Sequence, residues 1–167
     1  PLIVDDVTKY IKGDLVNFGG GVLFFLILML SLIFREVRWV ILPLASCIYA
    51  GVTMLGFLGL IGWKVTVISS NFIALMLIIT MSMNVHLIVR YRELNNQLPD
   101  HSQKDLVSLT VEKMARPCIY TAITTIIAFL SLLMADIKPV IDFGLMMTLG
   151  LTVVYATTFL LFPSILV

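Results

Sequence analysis

Charge is scarce in this chain. Only 13% of its 167 residues are Asp, Glu, Lys or Arg, and eleven bases against ten acids leave a formal net charge of +1. A soluble domain carries about 25% charged residues. The deficit excludes an ordinary water-exposed surface, and the near-neutral balance excludes a nucleic-acid partner, which needs a basic footprint. Cysteine is almost missing too. Cys47 and Cys118 are the only two, both inside or at the edge of apolar runs, so they read as small buried side chains and no disulfide framework is expected. His86 and His101 are far too little for a metal site. There is no Gly-rich phosphate loop and no nucleophile–base pairing at a supporting spacing. Neither enzyme chemistry nor a cofactor is therefore expected.

What remains is hydrocarbon. Hydrophobic residues make up 60% of the chain, and the mean hydropathy is +1.07. Five apolar runs cover roughly residues 19–34, 39–62, 65–89, 117–135 and 139–167. A bilayer core about 30 Å thick is spanned by a helix of about 20 mostly apolar residues. Four runs reach or approach that length, and the first can extend backward through Asp14–Phe18. A soluble core with five buried helices would leave too little polar surface to cover them. The expected fold is all-α: a polytopic membrane bundle of five transmembrane helices, residues 19–167, with amphipathic interfacial helices and a lead-in segment over 1–18. No basic leader with a small-residue cleavage site precedes the first span. The start at Pro1 and the stop inside an apolar run suggest a piece of a longer protein.

Lys and Arg distribute unevenly between the two sides. The loops after the first and third spans hold Arg35, Arg38, Arg90, Arg92, Lys104, Lys113 and Arg116, seven in all, against Lys9, Lys12, Lys64 and Lys138 on the other side. The positive-inside rule places the seven in the cytoplasm and the lead-in segment outside. In that lead-in, Ile3, Val7, Tyr10, Ile11, Leu15 and Phe18 recur near a 3–4 spacing, as in an amphipathic helix at the outer interface. Gly19, Gly20 and Gly21 would form either a hinge or a close-packing site at its junction with the first span. A second amphipathic helix is expected over 103–115, flat on the cytoplasmic surface, with Ser102 as N-cap and Pro117 at its end. Small residues Ser46, Ala50, Gly56, Gly59 and Gly62 offer close-approach positions on the second span. Pro43 should bend that span near its inner end.

Polar residues inside a bilayer are expensive and are candidates for function. The third span carries Asn71, Thr80, Ser82, Asn84 and His86. Thr80 and Asn84 share one face; Ser82 and His86 share another, about 160° to 200° round the helix. Two polar stripes argue that this span sits centrally and faces lipid on neither side. His86, one turn before Arg90, is either a proton-relay imidazole or an interfacial histidine bonded to a loop carbonyl. Thr121, Thr124 and Thr125 on the fourth span can bond back to their own helix. Asp142 follows Pro139 near a helix start, where the dipole favours an acid; a proton-carrier role is the alternative.

At these residues the chain resembles a known family. The stretch His86–Glu93 is similar to the end of the fourth transmembrane helix of resistance–nodulation–division (RND) exporters. Ala115-Arg116-Pro117 with Thr121–Thr125 and Phe129 resembles the start of their fifth helix, and Pro139–Gly144 with Gly150 the start of the sixth. Phe34-Arg35, the tight hairpin and Pro43 resemble the second-to-third helix turn. The resemblance implies helices two to six of a six-helix half, a layout shared with sterol-sensing domains. It implies a secondary transporter, typically proton-driven, that exports lipids or other hydrophobic compounds from a bacterial inner membrane. Its partners would be membrane lipids, the substrate, the rest of the parent chain and, in an oligomer, further copies. One departure stands out. Proton-coupled members carry an Asp four residues before the matching His, followed by another Asp or a Tyr; here Ser82 and Met83 stand there. The expected polar path is Ser82, Asn84 and His86, faced by Thr124 and Thr125, with Asp142 in reserve. A lipid-binding module that does not pump and a helical scaffold without a ligand are the competing readings.

Overall fold

The computed structural model describes residues 2–62 and 71–167, with side chains left out for most of the first fifteen residues. Trp63, Lys64 and the expected start of the third span at residue 65 lie outside the described residues, as do most side chains of the lead-in segment. Five long helices follow in order: α1 Leu2–Phe34, α2 Val37–Ile61, α3 Phe72–Gln97, α4 Gln103–Leu130 and α5 Lys138–Leu166. A 3-10 turn, Ser131–Met134, extends α4. All five helices are long and apolar enough to cross a membrane. Among the described residues there is no strand.

The lead-in segment and the first span form one uninterrupted helix. No break occurs at Gly19–Gly21, and no described atom lies within 4 Å of where their side chains would begin. Among the described residues, neither a hinge nor close packing accounts for the three glycines. The α1–α2 link is two residues, with Arg35 in the left-handed region at φ 51°. Between α3 and α4 the long inner connection shrinks to Leu98–Ser102, because the amphipathic segment is continuous with the fourth span. Ser102 does cap α4, its hydroxyl accepting from the Asp105 N–H. Pro117 does not end that helix. It sits inside α4, exposed, where the lost hydrogen bond and the ring can be accommodated. The amphipathic stretch is thus the N-terminal part of a long apolar helix rather than a separate helix. Its buried Leu106, Val107 and Thr110 pack into the bundle.

The central helix is α3, which packs against each of the other four. Its Thr80 and Asn84 are fully buried. Ser46 and Ala50 of α2 are buried as close-approach positions should be, but Gly56 and Gly59 meet no described neighbour. Gly62 has a different task. At φ 69° it is the left-handed C-cap of α2, its N–H returning to the Leu58 and Gly59 carbonyls. Tight packing falls instead on α5: a Cβ at Gly144 would lie 2.6 Å from the Phe129 carbonyl oxygen and 3.0 Å from the Leu132 Cβ. Gly144 holds the N-terminal part of α5 against α4 and its 3-10 extension.

Candidate functional site

The polar chemistry of α3 divides by helical phase. Thr80 and Asn84 turn inward; the Thr80 hydroxyl donates to the Met76 carbonyl at 2.7 Å, and the Asn84 amide donates to the Thr80 carbonyl at 2.8 Å. Ser82 and His86, two residues off in phase, are exposed on the opposite side. They are not enclosed by the bundle as the central position of α3 suggested. They face a cleft of about 270 Å³ between α3, α4 and α5, lined also by Met83, Cys118, Thr121 and Thr125.

The opposite wall comes from α4. Thr121 and Thr125 are four residues apart and present one face, so both reach the cleft. Each hydroxyl donates along its own helix, Thr121 to the Pro117 carbonyl at 2.9 Å and Thr125 to the Thr121 carbonyl at 2.7 Å. Their hydrogens are thereby used, and their lone pairs remain as acceptors towards the cleft. The site is a mostly apolar slot with an imidazole, a serine hydroxyl and two threonine oxygens. Such a lining suits a hydrophobic guest with a polar end or a short chain of waters. The Arg90–Glu93 ion pair and the Arg92 guanidinium, 5.7 Å from the Phe34 ring centre, close α3 at its inner end.

The structure gathers Ser82, His86 and Thr125 at this cleft and leaves three other candidates elsewhere. Asn84 is fully buried and does not line the cleft. Thr124 is exposed, with its hydroxyl on the Tyr120 and Thr121 carbonyls, and does not line the cleft. Asp142 is half-buried near the start of α5 and does not line it either. Thr121 and Cys118 are lining residues that the sequence argument did not select. Spacing carries the signal for Thr121, since it lies one turn before Thr125, about 40° round the helix from it, while Thr124 is about 100° from Thr125.

A second opening lies between α1 and α3, a groove of about 490 Å³ lined by Asn17, Phe18, Gly21, Val22, Phe25, Leu26 and Ile78. It is apolar apart from Asn17. Ile78 lines this groove as well as the cleft.

The model of the MMPL family matches residues 1–167. No curated protein and no solved structure gives a significant match.

Proposed function

Because this chain belongs to the MMPL family, a group of RND-type membrane transporters of hydrophobic compounds, we propose that it is the transmembrane half-domain of an exporter for lipids or similar molecules. The observation that carries this reading is the convergence of Ser82, His86, Thr121 and Thr125 on one cleft between spanning helices. Polar groups at that depth cost free energy and persist where they serve a path for protons, water or substrate. The lateral groove beside α1 supports entry of an apolar guest from the bilayer, and an open groove counts against a ligand-free scaffold.

His86 brings an imidazole to this cleft, with one ring nitrogen to donate and one to accept a hydrogen bond, so it is the proposed proton carrier. Ser82 and Met83 occupy the places where proton-coupled relatives are expected to carry an acid. The proposed coupling therefore runs through His86 or through the other half of the full protein, in a bacterial inner membrane. Asn84, Thr124 and Asp142 do not line this cleft. The test is substrate flux by the full-length protein in proteoliposomes with an imposed proton gradient. Flux that follows the gradient and falls with His86→Ala is expected. No flux under any gradient would sink the transporter reading. The same missing acid favours a second reading, a lipid-binding module similar to a sterol-sensing domain. Saturable lipid binding that ignores the gradient would establish it instead.

A further inference from the structure

Three polar atoms remain buried without a protein partner among the described residues: Ser46 Oγ on α2, Asn84 Oδ1 on α3 and Thr158 Oγ1 on α5. Their residues are 1%, 0% and 0% exposed. Other buried hydroxyls nearby behave differently. Thr80 and Thr157 donate to carbonyls four residues back, at 2.7 and 2.8 Å. An unpaired polar group in a bilayer-embedded core costs free energy that a single bridging molecule can recover.

Two sets of contacts bring together the three helices that carry these atoms. On the outer side, a Cβ at Gly150 would meet the Met76 sulfur at 3.5 Å and the Met54 methyl at 3.9 Å, so α2, α3 and α5 touch there. Moving inward from that contact, Ser46 is eight residues from Met54, Asn84 eight from Met76 and Thr158 eight from Gly150. Each step is about 12 Å along its helix. On the inner side, Trp39 stacks on Tyr91 at 5.5 Å and Tyr91 meets Phe162 at 6.5 Å. The same three helices are therefore pinned again. Within each helix the ridge is continuous: Gly150, Val154, Thr158 and Phe162 on α5 follow in steps of four, as do Met76, Thr80 and Asn84 on α3 and Met54, Ala50 and Ser46 on α2.

We infer that Ser46, Asn84 and Thr158 form a closed polar node at the α2–α3–α5 junction that binds one water molecule. The Asn84 amide nitrogen is held by the Thr80 carbonyl, which fixes its oxygen as the free acceptor. The water donates to that oxygen and accepts from the Ser46 and Thr158 hydroxyls, making the three bonds typical of a buried water. No carboxylate on these ridges would favour a cation. The node lies across α3 from the Ser82–His86 cleft and ties the helix that carries the cleft to its two neighbours.

The test is a structure of the full-length protein at a resolution that shows water, with melting measurements in detergent beside it. A density peak within hydrogen-bond distance of all three oxygens is expected; a node with no peak would overturn the inference. Ser46→Ala and Thr158→Val should each lower the melting temperature by about 2 °C. Together they should lower it by less than the sum, because the one water is lost only once. Strict additivity, or no loss in either variant, rules the bridge out. Melting should be the same in sodium chloride and choline chloride. A rise specific to sodium would make the guest a cation and overturn its assignment as water.

Discussion

The two polar faces of α3 carry similar side chains and meet opposite fates. Thr80 and Asn84 are fully buried, while Ser82 and His86 look into an open cleft. The helix is one piece, and the residues alternate along it within seven positions. The difference lies in the neighbours. On the sealed side, Gly150 and Ala50 let α5 and α2 approach closely. On the open side, α4 stands off, its Thr121 and Thr125 turned to the gap. A polar residue in the first setting specifies packing, and in the second it is available to a solute.

The largest effect should come from placing the same acid on both faces. Asn84→Asp puts a carboxyl into the sealed interior, cut off from bulk solvent, and should destabilise the protein by about 3 kcal/mol. Ser82→Asp, two residues away, should cost less, since that face opens onto the cleft. Thermal melts of the two variants in one detergent decide it, and equal losses would erase the distinction between the faces. Ser82→Asp also restores an acid beside His86, so its flux is worth measuring alongside.

Next in size is the contact that fixes the N-terminal part of α5 against α4. Gly144→Ala forces a methyl into the Phe129 carbonyl and should cost about 2 kcal/mol. By contrast, Gly20→Ala meets nothing and should stabilise α1 by about 0.5 kcal/mol. If both glycines responded alike, the open and closed surfaces would not differ in packing. The smallest effect on stability belongs to His86. His86→Ala should leave the melting temperature within about 1 °C while lowering proton-driven flux at least about tenfold. A fall in both by the same measure would make His86 a packing residue. Asn84→Leu complements it from the sealed side: impaired flux with a smaller loss of folding would tie the node to transport, whereas matched losses would confine Asn84 to packing.

Much of this arrangement is legible without coordinates. Five spans follow from hydropathy because a helix must satisfy its own backbone in hydrocarbon. The Ser102 cap follows from local chemistry, and the two stripes of α3 follow from 100° per residue. Other points are not legible. Pro117 looks like a stop, yet α4 passes through it, since a spanning helix can absorb one missing hydrogen bond. Gly56 and Gly59 look like packing sites and meet nothing, while Gly144 does the tight packing.

Length, hydropathy and helical phase, all properties of the chain itself, determined that this is a multi-pass all-α membrane protein with two polar stripes on its third span. Phase says only that Asn84 and Ser82 point apart. Which stripe is enclosed depends on how closely neighbouring helices approach, and that distance is set by contacts far apart in sequence, such as Met54 with Gly150 and Trp39 with Tyr91. Only the tertiary structure could decide that Ser82 and His86 share a cleft with Thr121 and Thr125, and that Ser46, Asn84 and Thr158 are buried.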